Sequence, residues 1–233
     1  MRIFSIFKSI SGELGLFYPG SPTIFIRFAG CPLHCTWCDT LPAIPRESGE
    51  EISLDEVMGR VQELSGAGQI RQVLITGGEP LWQREAFEEL VSKLRAFDVF
   101  DRPHYTVQVE TSGVCLPSKK ARVLVDWWVV DCKLESSGEA TKMKFAEFGQ
   151  FAPRFSIKFP IADRVDFDAM LRICDMNTLV MDDVKQILLS PVRPLAAGQL
   201  LQWQSEAAQS RPWLQRAMLN VQLHKLVALK EDQ

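Results

Sequence analysis

Three cysteines fall within eight residues, Cys31-Pro-Leu-His-Cys35-Thr-Trp-Cys38, in a chain of 233 residues that carries six in all. Three thiols cannot close into disulfides without one left over, and Cys115, Cys132 and Cys174 form no second close pair. Residues 1–8 lack the apolar core and small-residue cleavage site of a secretory signal. The chain therefore reads as cytoplasmic, where thiols stay reduced. Clustered thiolates in that setting bind a soft metal ion or an iron–sulfur cluster. Three ligands leave one coordination position open, and an open position is what lets a metal centre react rather than merely hold a fold together. The alternative is a structural zinc knuckle completed by His34 or by a distant cysteine. His34 adjoins Cys35 and so faces away from it, and the three single cysteines read as small buried hydrophobes.

A chain of this length can bury a large core without staples. Its 46% hydrophobic and 24% charged content are ordinary globular values. A formal charge of −3 argues against a nucleic-acid-binding surface. The longest apolar run, 124–130, contains Asp126 and is too short to span a membrane. No repeat or long linker divides the chain, which reads as one domain over 1–233.

Short apolar runs alternate with amphipathic stretches. Strands are expected at 23–28, 72–76, 105–110, 127–132, 155–159 and 185–189. Ser53-Leu-Asp-Glu56 offers a capping box before Val57. Over 86–97, Phe87, Leu90, Val91 and Leu94 repeat at helical spacing, and 166–174 and 196–208 look helical too. Such alternation predicts an α/β fold with a mostly parallel sheet, open or curled into a barrel, and an active site at the carboxyl ends of the strands.

Three further motifs sit where that rule puts chemistry. The run from Val73 through Thr76-Gly-Gly-Glu-Pro80 is a strand entering a double-glycine turn, whose backbone a ligand can approach closely. Val107-Gln-Val-Glu-Thr-Ser-Gly113 ends in Glu110 and a glycine, and Val129-Val-Asp-Cys-Lys133 ends in polar groups. With the cysteine loop they suggest polar groups converging on one mouth.

Cys-X3-Cys-X2-Cys after an apolar strand, Trp37 before its last cysteine, and Gly-Gly-Glu-Pro after the next strand resemble the radical S-adenosylmethionine enzymes. The resemblance implies a partial (βα)6-type TIM-like barrel with the cluster loop at 30–46. It also implies a 4Fe-4S cluster on Cys31, Cys35 and Cys38, whose open iron takes the methionine moiety of S-adenosylmethionine. Once reduced, the cluster cleaves a carbon–sulfur bond to give a 5′-deoxyadenosyl radical.

Ser9-Ile-Ser-Gly-Glu13, Phe25-Ile-Arg-Phe-Ala-Gly before the cluster, Cys38-Asp-Thr40, Glu110-Thr-Ser-Gly113 and Val221-Gln-Leu-His-Lys225 are similar to the 7-carboxy-7-deazaguanine synthase family. That resemblance implies conversion of 6-carboxy-5,6,7,8-tetrahydropterin to 7-carboxy-7-deazaguanine with loss of ammonia, a step towards queuosine. It implies a homodimer that needs Mg²⁺ and a flavodoxin or ferredoxin as reductant. Trp37, Cys38, Asp39 and Gly78, with Asp131, Cys132, Lys133, Ser190 and Pro191, would line the S-adenosylmethionine site. Thr40 would hold Mg²⁺, a hard oxygen for a hard cation. Ile10, Ser11, Gly12, Glu13, Arg27 and Thr76 would hold the pterin, with the Arg27 fork suited to a carboxylate. No general acid–base pair is evident, and a carboxylate such as Glu110 is only a candidate for proton transfer. His224 and Lys225 are read as a surface pair outside the site.

One departure stands out. The family carries Gln-Gly-Glu-Gly where this chain has Ser11-Gly12-Glu13-Leu14, and residues 14–20 read as a longer loop. A serine hydroxyl does not span the gap a glutamine amide does. A related heterocycle as substrate, a glycyl-radical-enzyme activase and a zinc-stabilised interaction domain are the competing readings.

Overall fold

The computed structural model describes residues 1–96, 98–99, 102–193 and 195–226. Phe97, the expected last residue of the second helix, and the side chains of His224 and Lys225 lie outside the described residues. Among the described residues no helix is long and apolar enough to cross a membrane.

The chain opens with an antiparallel pair, β1 (Arg2–Ile10) and β2 (Pro22–Phe28), with Ile6 opposite Ile26 and Phe7 opposite Phe25. A two-residue strand, β3 (Glu50–Glu51), pairs with the far side of β1. Helix α1 (Leu54–Leu64) starts in the expected capping box: Glu56 N donates to Ser53 Oγ at 3.3 Å while Ser53 N donates to the Glu56 carboxylate at 2.8 Å. Then follow β4 (Gln72–Gly77), α2 (Arg84–Ala96), a short ribbon of β5 (Asp98–Val99) and β6 (Arg102–Pro103), and β7 (Thr106–Thr111). Next come α3 (Lys119–Leu124), β8 (Trp127–Asp131), β9 (Phe155–Ile161), α4 (Arg164–Met176) and α5 (Thr178–Asp183). The chain closes with β10 (Gln186–Pro191), α6 (Ala197–Ala208), β11 (Ala217–Leu219) and α7 (Leu223–Leu226).

Nine strands form one sheet in the order β11-β10-β9-β8-β7-β4-β2-β1-β3. From β2 to β11 every pairing is parallel, and the order ends on two different strands, so the sheet is unclosed. The six expected strands are β2, β4, β7, β8, β9 and β10. Strands β1 and β11 were not anticipated and widen the sheet at its two sides.

Alternation along the strands divides the sheet into two faces. On the outer face Ile24, Ile26, Val73, Ile75, Val107 and Val109 are fully buried, packed with Phe87, Leu90 and Leu94 of α2 in the core. Each such side chain contributes on the order of 1.5–3 kcal/mol by leaving water. Trp128 anchors the middle, its ring 6.0 Å from that of Phe87 and 5.4 Å from that of Phe151.

The inner face carries the polar side chains of the strands, with Phe25, Leu74 and Val129 among them. At the amino ends of the strands, Gln108 accepts from Leu16 N at 2.8 Å, and Gln186 donates to Gly15 O at 3.3 Å. Residues 14–20 therefore plug that end of the half-barrel, with Phe17 buried. Gly15 packs closely on the Gln108 side-chain amide, a Cβ there falling 2.5 Å from Oε1, so a larger residue would need that amide to shift. At the carboxyl ends the inner face stays open.

Candidate active site

β2 leads at Phe28 into the cysteine loop, which is closed at its neck. Gly30 N donates to Ala43 O at 2.8 Å and Cys31 N to Ile44 O at 3.0 Å. Gly30 takes a φ of +94°, a conformation that glycine adopts without strain. The Gly-Gly turn after β4 presses against this neck: Gly78 N donates to Phe28 O and Glu79 N to Gly30 O, both at 2.9 Å. A Cβ on Gly78 would stand 2.2 Å from Gly30 O, so only glycine permits the approach. Glu79 is wholly buried and ties β4 to the end of β7, accepting from Thr111 Oγ1 at 2.8 Å, Ser112 Oγ at 2.6 Å and Ser112 N at 2.8 Å.

The loop's other flank rests on the segment after β8. Thr36 N donates to Ser137 O at 3.0 Å, Trp37 Nε1 to Ser136 Oγ at 2.9 Å and His34 N to Glu139 Oε1 at 2.6 Å. Lys133 Nζ lies 5.0 Å from the centre of the Trp37 ring.

Cys31, Cys35 and Cys38 line one cavity of about 590 Å³, and among the described residues no fourth cysteine does. Cys132 and Cys174 are buried in the core, and Cys115 packs against it. Burial pushes the Cys31 thiol up to about 12, and the nearby Glu79 charge adds to the rise. Burial raises Cys35 as well. Left alone these thiols keep their protons at neutral pH, and a positive metal centre is what holds them as thiolates. Three soft sulfurs on one loop, beside a backbone that approaches to glycine distance, fit a 4Fe-4S cluster with one iron left for an amino acid ligand.

The rest of the cavity is built from the carboxyl half of the inner face. Arg27 on β2 donates from NH1 to Thr40 Oγ1 at 3.0 Å and stands over the Phe7 ring at 5.7 Å. Phe7 stacks on Phe25 with ring centres 5.0 Å apart, an apolar wall for a flat heterocycle. Thr76 Oγ1 on β4 donates to Glu110 Oε2 on β7 at 3.1 Å. Burial, aided by the charge of Glu13, raises the Glu110 carboxyl to about 7.

Glu13 is the hub on the opposite side. Its Oε2 accepts from Lys158 Nζ at 2.8 Å and Asn220 Nδ2 at 3.0 Å, and its Oε1 from Gln222 Nε2 at 2.5 Å. Burial alone would raise its carboxyl, but the Lys158 ammonium and the amide donors outweigh it and hold the group at about 2. Lys158 also meets Asp131 Oδ2 at 3.1 Å, and Asp131 Oδ1 meets Lys133 Nζ at 2.9 Å.

Of the expected site residues, Ile10, Gly12, Glu13, Arg27, Trp37, Asp39, Thr40, Thr76, Gly78, Glu110, Asp131, Lys133, Ser190 and Pro191 line this cavity with the three thiols. Two do not. Cys132 follows Asp131, so alternation turns its side chain into the apolar core on the outer face, where it is fully buried. Ser11 is buried below the cavity and closes the neck of the 14–20 loop, its N donating to Ser21 O and its carbonyl accepting from Gly20 N, both at 2.8 Å.

Lys158, Asn220 and Gln222 were missed. Lys158 carried one signal, a lone cation within the apolar run of β9. Gln222 lay inside the Val221-to-Lys225 motif without being singled out, and Asn220 carried no signal, since nothing local links it to Glu13.

The Radical SAM superfamily model matches residues 25–155, more than half of the chain. Among curated relatives, a 7-carboxy-7-deazaguanine synthase of Pyrobaculum aerophilum is 36% identical over 74% of this chain and 72% of that protein. One of Leptospira interrogans is 32% identical over 97% of this chain and 94% of that protein. Among solved structures, the crystal structure of QueE from Escherichia coli superposes with a TM-score of 0.62 at 26% identity, covering 96% of this chain and 94% of that one. The chain therefore belongs to the radical SAM superfamily and, within it, to the 7-carboxy-7-deazaguanine synthase family.

Proposed function

We infer that this chain contracts 6-carboxy-5,6,7,8-tetrahydropterin to 7-carboxy-7-deazaguanine with loss of ammonia, as a radical SAM lyase on the way to queuosine and related 7-deazapurines. The observation that carries the reading is one cavity lined at once by three thiols, an arginine fork and two carboxylates of opposite tuning. Cys31, Cys35 and Cys38 would hold a 4Fe-4S cluster, which together with S-adenosylmethionine would supply one-electron radical chemistry at the substrate.

The protein's own part is binding, orientation and exclusion of water. Trp37, Asp39, Gly78, Asp131 and Lys133, with Ser190 and Pro191, flank the cofactor. Arg27 takes the substrate carboxylate through two parallel hydrogen bonds. Glu13, ionised throughout the physiological range, accepts from the donor edge of the 2-amino-4-oxo ring. Glu110, poised near neutrality, can hold or release a proton beside Thr76 as nitrogen departs. Mg²⁺ on Thr40 completes the reading, with a flavodoxin or ferredoxin as reductant and a homodimeric, single-domain enzyme in the cytoplasm.

The test is anaerobic reconstitution with iron and sulfide, then incubation with S-adenosylmethionine, dithionite, Mg²⁺ and 6-carboxytetrahydropterin. Formation of 7-carboxy-7-deazaguanine is the expected result. Slow release of deoxyadenosine with no deazaguanine would leave the superfamily chemistry and remove the substrate.

A further inference from the structure

Lys158 stands in the middle of β9, between Ile157 and Phe159, whose side chains are wholly buried on the outer face. Alternation turns Lys158 inward, where its side chain keeps 11% exposure and meets two carboxylates. One belongs to Glu13 on the 11–21 loop, at 2.8 Å, and the other to Asp131 at the end of β8, at 3.1 Å. A lysine costs several kcal/mol to bury unless it is paired, so its place on the inner face is a built feature.

From those two carboxylates the contacts run in opposite directions. Asp131 passes through Lys133, at 2.9 Å, to the Trp37 ring between Cys35 and Cys38. Glu13 passes through Gln222 to the C-terminal segment, and through Asn220, whose Nδ2 donates at 2.8 Å, to Ser190. The other charged groups lining the cavity are Glu110 on β7 and Arg27 on β2, with Asp39 in the cysteine loop and Arg193 just past β10. Trp37, Asp131 and Lys133 flank the cofactor half of the cavity, and Glu13 the substrate half. Lys158 joins Glu13 directly to Asp131, while Asn220 makes a second, separate link from Glu13 to Ser190.

We propose that Lys158 is a positioning residue that couples the two halves of the cavity, so that S-adenosylmethionine and the pterin each bind more tightly when the other is present. The inference rests on the substrate reading given above. Its physical basis is shared ordering. The ammonium is divided between two carboxylates carried by separate segments, and a ligand that fixes Asp131 fixes Lys158 and, through it, Glu13. The second ligand then meets a network already set. Binding couplings of this kind are typically between about fivefold and 150-fold, and reciprocal.

The experiment uses full-length protein with its cluster reconstituted and left oxidised, so that both ligands bind without turnover. The dissociation constant of 6-carboxytetrahydropterin is measured by anaerobic equilibrium dialysis with and without saturating S-adenosylmethionine, and the reverse pair is measured as a check. Wild type should bind the pterin about tenfold more tightly with S-adenosylmethionine present. In K158M the pterin should bind more weakly and the ratio should fall to about one, while K158R, which keeps the charge and can bridge both carboxylates, should recover most of it. D131N cuts the same chain at its next link and should also abolish the ratio, so the result stands if K158M loads its cluster poorly. A wild-type ratio of one, or a K158M and D131N ratio equal to wild type, overturns the coupling. Wild-type protein that binds S-adenosylmethionine but no pterin overturns the substrate reading itself, a distinct outcome.

Discussion

Arg27 donates from NH1 to Thr40 Oγ1 at 3.0 Å, joining β2 to the second residue past the last cysteine of the loop. Thr40 in turn donates to Asp39 Oδ1 at 3.2 Å, so hard oxygen donors gather at this point. A guanidinium and a Mg²⁺ ion repel each other at one oxygen, most of all away from bulk water. With Mg²⁺ on Thr40, Arg27 must turn to another acceptor, and the substrate carboxylate supplies one. Replacing Thr40 by Ala should therefore abolish the response of the rate to added Mg²⁺ while the cluster still loads. A T40A protein with the wild-type Mg²⁺ titration would remove Thr40 from the metal site.

Arg27→Lys keeps the charge but loses the two-pronged geometry. Hydrogen bonds to charged groups are worth roughly 1.5–3 kcal/mol. Losing one should raise KM for the carboxylated pterin about tenfold or more, with a smaller effect on S-adenosylmethionine binding. An unchanged KM would show that the carboxylate lies elsewhere in the cavity.

Glu110 makes a pH signature. Burial and the neighbouring Glu13 charge raise its carboxyl from 4.5 to about 7, so the folded state holds a proton that the unfolded state releases earlier. The group therefore adds stability that is complete below pH 4.5 and is lost as pH rises through 7. A glutamine cannot ionise. Between pH 4.5 and pH 7, wild type should lose stability relative to E110Q by on the order of 3 kcal/mol, read from urea unfolding at each pH. A constant difference across that range would place the Glu110 pKa near its ordinary value.

Much of this was legible in the sequence because it is local. The cysteines, the glycines of the Thr76-to-Pro80 turn and Glu110 sit at strand ends fixed by a few neighbouring residues, and the six inner strands announce themselves by their apolar outer faces. Strand β1 hid for a specific reason. Its pairing with β2 shifts register between Ile3 and Ser5, and a bulge resets the alternation on which a strand pattern depends. The partners of Glu13 hid because they are distant, with Lys158 145 residues and Asn220 207 residues along the chain. The departure at Ser11 also has a structural sense. Ser11 Oγ donates to Glu13 O at 3.3 Å, a local bond that a serine hydroxyl makes within its own turn, while nothing in the structure explains the leucine at position 14. Gly15, next in the chain, packs against the Gln108 side chain.

Gly78→Ala tests how the cluster loop is held. The added methyl would stand 2.2 Å from Gly30 O, a backbone atom that cannot yield without moving the neck of the loop. Such overpacking costs about 1–3 kcal/mol. The G78A protein should unfold at a lower temperature and take up less iron on reconstitution. Full iron content with wild-type thermal stability would mean that the neck is loose.

Cys132→Ala separates the thiols by role. Resemblance alone set this residue along the cofactor, beside Asp131 and Lys133, yet its side chain is fully buried among the apolar residues of the outer face. Burial pushes its thiol well above the ordinary range, as it does for an inert core cysteine. Removing the sulfur should leave a small cavity and cost about 1 kcal/mol, judged from the loss of a group the size of a methylene. Iron content, the charge-transfer absorption of the cluster and the affinity for S-adenosylmethionine should all match wild type. The same change at Cys31, Cys35 or Cys38 should strip the cluster from the protein. A C132A protein that unfolds like wild type but binds S-adenosylmethionine tenfold more weakly would return Cys132 to the cofactor site.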